Sequence, residues 1–160
     1  RDDDALRQAW ENQKQRERER NGVGEGSSQM DGVARALPAL IRAEKLQRRA
    51  ARVGFDWPDA RGAFDKTREE FAELEAELAD ADADRLQDEL GDLLFAMVNV
   101  VRLLGMDAEQ TLSRANEKFE RRFRALEELL ASRGQADLEG LPLDELDAAW
   151  EQVKEAEKGT

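Results

Sequence analysis

The sequence has no cysteine, no histidine and no tyrosine. Without cysteine there is no disulfide and no thiolate nucleophile, and without histidine there is no imidazole base; ordinary zinc and haem sites go with them. Any acid–base or metal chemistry must therefore use carboxylates, lysine, arginine and water. Aromatic residues are scarce at 6%, and 39% of residues are charged, a balance that argues against a β-sandwich and for a small domain of amphipathic helices. Long apolar runs are missing too. The longest, Leu93 to Val98, stops at Asn99, which excludes a spanning helix there, so no membrane partner is expected. Positive charge is short: 25 Lys+Arg against 37 Asp+Glu leave −12, which argues against a protein that binds polymeric nucleic acid by counterion release. Asp2, Asp3 and Asp4 stand where a signal peptide would need a basic and then apolar stretch, so a cytoplasmic protein is expected.

What is present is unevenly distributed. Residues 1–54 hold 12 Lys+Arg and 9 Asp+Glu, whereas residues 55–92 hold 4 and 14. The 160 residues are about the length of one domain, and 40% hydrophobic residues suffice for a modest core. The first segment, from Leu6 to about Arg20, is polar nearly all round, and the run from Asn21 to Ser28 after it has linker composition. Laid over the chain at an offset of 140, Asp4, Leu6, Ala9, Trp10, Glu11, Lys14 and Glu17 match Asp144, Leu146, Ala149, Trp150, Glu151, Lys154 and Glu157. Shared positions that include a tryptophan point to an internal repeat, with two unrelated charged helices as the alternative. The organisation expected is a tail helix of a preceding domain plus a flexible linker over 1–30, then one whole domain over 31–160.

From residue 33 the helix punctuation is regular. Pro38 opens a helix with Leu40, Ile41 and Leu46 on its apolar face, and Gly54 ends it. Phe55-Asp56-Trp57-Pro58-Asp59 reads as a turn that drops two aromatics toward the core. A second helix is predicted over about 62–81 with Phe71, Leu74 and Leu78 in one stripe. A third, about 84–104, is apolar over most of its circumference after Gly91, so it is expected to be the buried centre, stopped by Gly105. Asp107 with Gln110 resembles a capping box for a fourth helix reaching about Ser132, and Pro142 begins a fifth containing Trp150. Short connections favour antiparallel neighbours, so the fold class expected is all-α, an antiparallel bundle of four to five helices.

The chemistry is in the carboxylates. Glu69, Glu70 and Glu73 form E-E-x-x-E on one predicted helix, and Glu89 with Asp92 forms E-x-x-D on the next. At about 100° per residue, positions three apart are neighbours on one face, so Glu70/Glu73 and Glu89/Asp92 are two pairs able to face one another across an antiparallel turn. Like charges at that distance need a cation, and oxygen-only ligands select a hard one, Mg²⁺ or Mn²⁺. A solvated face of a Glu-rich helix is the competing reading; Asp92, directly before an apolar run, weighs against it, because an unpaired buried carboxylate is costly. The basic complement is Lys118 and Arg122, sharing a face at i,i+4, with Phe119 and Phe123 expected in the core. Trp150 and Lys154 are spaced to stack a base and hold a phosphate; a Trp covering the bundle end is the alternative.

Taken together, Leu46 to Trp57, the E-E-x-x-E…E-x-x-D signature, Gly91 to Phe95, Asn116 to Phe123 and Trp150 to Lys154 resemble the MazG family of nucleoside triphosphate pyrophosphohydrolases, within the all-α NTP pyrophosphatase superfamily. The resemblance covers about residues 31–158, which it implies are the C-terminal catalytic domain of a longer protein. It implies that Glu70, Glu73, Glu89 and Asp92 bind Mg²⁺, with Mn²⁺ as a substitute, and that Glu69 supports them. It further implies that Lys66, Lys118, Arg122, Trp150 and Lys154 contact the nucleotide, with Arg85 where relatives can carry lysine. The implied reaction is hydrolysis of ribo- and deoxynucleoside triphosphates to monophosphate and pyrophosphate by a homodimer, in some members to remove aberrant nucleotides. Either Glu70 or Glu73 serves as the base in that reading. The rival from another class is a non-catalytic helical module that dimerises or senses a nucleotide.

Overall fold

The computed structural model describes residues 2–20, 27–80 and 82–159. Among these the chain is all-helical: α1 (Asp2–Arg20), α2 (Ala39–Ala51), α3 (Ala60–Glu77), α4 (Ala83–Leu103), α5 (Ala108–Ser132) and α6 (Leu143–Lys158). The linker expected over Asn21 to Ser28 falls mostly outside the described residues, as does the predicted helix end at Ala81. Among the described residues, no helix is long and apolar enough to cross a membrane.

Local chemistry sets the helix limits. Pro38 and Pro142 stand at the N-caps of α2 and α6, where a missing N–H costs nothing. Three aspartates cap by side chain: Asp59 accepts from the Arg61 N–H at 3.0 Å, Asp82 from Arg85 N–H at 2.8 Å, and Asp107 from Gln110 N–H at 2.9 Å. Gly54 and Gly105 follow α2 and α4 at φ of +88° and +78°, the left-handed conformation that ends a helix and that glycine adopts without a Cβ penalty.

The chain divides into two compact units, residues 1–99 and 100–160. In the first, α2 buries Glu44, Gln47 and Arg49. Each of these side chains is bonded to a neighbour, though Gln47 Oε1 is buried without a hydrogen-bond partner among the described residues. Glu44 pairs with Arg48 at 2.8 Å, and Gln47 Nε2 donates to the Phe95 carbonyl of α4 at 2.9 Å. Arg49 donates to the carbonyls of Asp31 and Gln29, at 3.0 and 3.3 Å, and so ties the segment before α2 to its flank. Arg52 reaches α1, bonding Glu11 at 2.8 Å and Gln15 at 3.0 Å. Ala63, Leu74, Ala96 and Val98 are the buried apolar residues of this unit.

Four expectations about burial fail here. Phe71 and Leu78 are more than half exposed, so only Leu74 of the predicted α3 stripe is buried. On α4, Leu94, Phe95 and Met97 are exposed while Ala96, Val98 and Val100 are buried, so the helix presents only part of its apolar circumference to this chain. Asp92 is exposed as well, so its carboxylate is solvated and burial supplies no reason for it to need a cation. Of the two aromatics in the turn, Phe55 is 79% exposed. Trp57 instead lies over the first turn of α3, where a Cβ on Gly62 would meet its Cε3 at 2.7 Å. Apolar composition marks a face that can be buried; what is covered depends on neighbours that periodicity does not name.

The second unit is a helical hairpin. Leu126 and Leu130 of α5 pack with Ala149 and Val153 of α6, and Leu138, Leu141, Leu146 and Trp150 close over them. Phe119, expected in the core, is 59% exposed; its ring stacks with Phe123 at 6.0 Å and meets Trp150 at 5.5 Å between centroids. The pair forms an aromatic shelf at the edge of the hairpin, because one facing helix covers only one side of α5.

Candidate metal and phosphate site

Two stripes build the acidic site. On α3, Glu70, Glu73 and Glu77 recur at i, i+3 and i+7; on α4, Arg85, Glu89 and Asp92 recur at i, i+4 and i+7. The helices run antiparallel, with Glu77 bonded to Arg85 near the connecting turn and Glu70 and Glu73 meeting Glu89 farther on. One carboxylate oxygen from each of Glu70, Glu73 and Glu89 lies within 4.8 Å of the others. Glu70 is buried, Glu89 half-buried and Glu73 exposed. Asp92 is not part of that group of three, though its charge acts on Glu89. Glu69 is exposed and lies outside it too.

The electrostatics show how these groups constrain one another. Desolvation, then the charges of Glu77, Glu70, Glu73 and Asp92, holds the Glu89 carboxyl above its ordinary 4.5. A carboxyl raised in the folded state binds its proton more tightly there than in the unfolded chain. Its ionised form therefore opposes folding above the raised pKa, and the penalty is relieved as pH falls through it. Lys66 answers on the other side. Its Nζ lies 2.9 Å from Glu70 Oε1 and 3.8 Å from Glu69, and the hydrogen bond to Glu70, with that carboxylate's charge, raises the ammonium above 10.5. The ammonium stands where the buried carboxylate calls for positive charge. An all-oxygen donor set of three converging carboxylates, one buried, fits a hard cation and offers nothing to a soft one. The cluster can hold a metal ion. A carboxyl-edited NMR titration should follow Glu89 above 4.5 in the wild type and lower in Glu77→Gln; identical curves would remove the like-charge account of this site.

In the second unit, Arg122 of α5 bonds Glu157 of α6 through Nε and Nη2, each 2.9 Å from Oε2. This bond, together with the charges of Arg122, Arg121 and Lys118, holds Glu157 below its ordinary 4.5. Lys118 is exposed one turn away, Lys154 lies 3.4 Å from Glu151, and Trp150 rests against Phe119. The hairpin thus brings Lys118, Arg122 and Trp150 to one region, with Glu157 engaging the arginine. Sequence reasoning gave no role to Glu157 or Glu77, and the only signal for Glu157 was its place in the repeat, opposite Glu17. A depressed carboxylate contributes stability above its ordinary pKa that is lost as pH falls through the folded value. Arg122→Ala should return Glu157 toward 4.5 in the same titration; an unmoved Glu157 would contradict the pairing.

Comparison with known proteins bears on these helices directly. The family model described as MazG nucleotide pyrophosphohydrolase domain matches residues 63–126, a span that includes Glu70, Glu73, Glu89, Asp92 and most of α5. The chain is 46% identical over 150 residues to the nucleoside triphosphate pyrophosphohydrolase of Escherichia coli K12, covering 92% of this chain and 56% of that protein. It is 41% identical over 128 residues to the nucleoside triphosphate pyrophosphohydrolase/pyrophosphatase MazG of Thermotoga maritima, covering 80% and 49%. It is 38% identical over 133 residues to the uncharacterized protein YabN of Bacillus subtilis, covering 82% and 27%. The chain spans about half the length of the first two. Over residues 63–126, the chain is similar to the MazG nucleotide pyrophosphohydrolase domain.

Proposed function

We propose that this chain catalyses the Mg²⁺-dependent hydrolysis of ribo- and deoxynucleoside triphosphates to nucleoside monophosphate and pyrophosphate, as nucleotide-pool housekeeping in the cytoplasm. One observation carries the reading: carboxylate oxygens of Glu70, Glu73 and Glu89 converge within 4.8 Å across α3 and α4, inside the region matched by the MazG domain. Two relatives named as nucleoside triphosphate pyrophosphohydrolases agree with it.

Glu70, Glu73, Glu89 and Asp92 are the residues that would hold the metal. Mg²⁺ bound there supplies charge neutralisation for the polyphosphate and activation of water. The chain's own groups do the rest. Glu70 or Glu73 accepts the proton of the attacking water, and Glu69 supports this set from outside. Lys66 and Arg85 bring positive charge to opposite ends of the carboxylate stripe and meet phosphate oxygens. On the hairpin, Lys118, Arg122 and Lys154 contribute phosphate contacts, and Trp150, already against Phe119, offers a face to the base.

Two further readings accompany this one. Phe71, Leu94, Phe95 and Met97 are large apolar side chains left exposed on α3 and α4, which supports a homodimer that covers them. The exposed Leu6 and Trp10 of α1 occupy the repeat positions of Leu146 and Trp150, which α6 turns to α5; this supports reading α1 as the tail helix of a preceding domain.

Chromatography of products from a panel of nucleoside and deoxynucleoside triphosphates tests the activity. Monophosphate with pyrophosphate is expected; diphosphate with orthophosphate, or no product from folded protein, would contradict it. Lys118→Ala should raise the apparent KM about tenfold with little change in kcat, the worth of one hydrogen bond to a charged group. An unaltered KM would show Lys118 to be a surface charge.

A further inference from the structure

Glu77 lies one turn beyond Glu73, on the α3 stripe that carries the cluster, and the sequence alone places it among solvated glutamates. The structure does not leave it there. Its Oε1 accepts from Arg85 Nη2 at 2.7 Å, linking the end of α3 to the first turn of α4. Its Oε2 is buried with no hydrogen-bond partner among the described residues. Glu77 is also the largest of the carboxylate charges acting on Glu89, so it stands at the edge of the cluster.

Arg85 is the complementary case. Its side chain is 64% exposed, against 26% for Glu77, so little else restrains it. It shares the α4 stripe with Glu89, one turn on. An exposed ion pair contributes little stability, so the effect of this one is orientation. A guanidinium carries five donors in a rigid fork, and Glu77 engages one of its terminal nitrogens, which leaves other N–H groups for a second oxyanion.

We propose that Glu77 is a positioning residue that holds the Arg85 guanidinium beside the α3–α4 carboxylates, so that its remaining N–H groups meet the phosphates of the nucleotide in a fixed orientation. The inference rests on the proposed function in that Arg85 is taken to contact phosphate. Prior alignment of a flexible cation lessens the ordering that binding would otherwise require.

The test is a double-mutant cycle on the full chain with wild type, Glu77→Gln, Arg85→Ala and the double variant. The readout is calorimetric affinity for a non-hydrolysable α,β-methylene ATP in Mg²⁺, with the Mg²⁺-induced shift in Tm measured alongside. Glu77→Gln should weaken analogue binding about 2- to 5-fold, the scale of an exposed ion pair. Arg85→Ala should weaken it at least as much, and the double variant should match Arg85→Ala alone. The Mg²⁺-induced Tm shift should survive in Glu77→Gln. Full additivity of the two substitutions, unchanged affinity in Glu77→Gln, or loss of its Mg²⁺ shift would each overturn the proposal; the last would make Glu77 a metal ligand. A wild type that binds the analogue but turns over no triphosphate would contradict the proposed activity and leave the cycle readable. A wild type that does not bind overturns both.

Discussion

Glu70→Gln is expected to abolish pyrophosphate release while the helical far-UV signal persists. The carboxylate is buried, meets Glu73 and Glu89, and accepts from Lys66 at 2.9 Å. The amide keeps the volume and one carbonyl oxygen but loses the charge that both a divalent cation and the Lys66 ammonium require. If Glu70 also accepts the proton of the attacking water, the loss in kcat is about 10²-fold or more, the usual contribution of a positioned base. Removing its charge also lessens the repulsion around Glu89, so the folded state should not suffer as it would from a lost core residue. Steady-state kinetics with circular dichroism on the same sample checks both halves. A Glu70→Gln variant within a few-fold of wild-type kcat would place the chemistry elsewhere.

The second large effect concerns stability. Leu126 and Leu130 are 2% and 3% exposed, and with Ala149 and Val153 they form the buried centre of the α5–α6 hairpin. Leu126→Ala removes buried apolar surface and leaves a cavity that two helices joined by a loop can only partly close. A destabilisation of about 2–5 kcal/mol is expected. Against a total stability of about 5–15 kcal/mol this is a large fraction, and it should appear as an earlier urea midpoint. In the proposed function Arg122 and Trp150, carried by the same two helices, contact the nucleotide, so nucleotide affinity should fall with it. A midpoint shift worth less than about 1 kcal/mol would mean that the hairpin does not depend on this cluster.

Much of this fold is legible in the sequence because helix ends depend on short-range chemistry. Pro38, Asp107, Pro142, Gly54 and Gly105 each act within a few residues, and each stands at the expected boundary. The carboxylate spacing is legible for a related reason: residues three or four apart share a helix face whatever the helix packs on. What was not legible depends on contacts far apart in sequence. Phe55, Phe71, Leu94 and Phe95 have core-like chemistry, yet nothing in their periodicity says whether a neighbour covers them, and the described residues leave them exposed. Glu157 is 35 residues from Arg122, and only the hairpin brings them together. Glu77 looked like one more glutamate until the turn between α3 and α4 placed Arg85 beside it. Asp92 failed differently: the apolar run after it implied burial, but its own position on the helix faces solvent.

The exposure of Asp92 makes it the most discriminating position in the acidic site. Glu70, Glu73 and Glu89 already converge, whereas Asp92 contributes to the cluster through its charge and belongs to the metal-binding set only in the proposed function. The measurement is pyrophosphate release from one nucleoside triphosphate, titrated with Mg²⁺, for wild type and Asp92→Asn side by side. The account predicts saturable metal-dependent turnover in the wild type, and its loss in the variant at every Mg²⁺ concentration with the helical signal intact. Equal turnover in the two proteins, or turnover in the wild type that ignores Mg²⁺, would contradict a metal-dependent pyrophosphohydrolase built on these two helices.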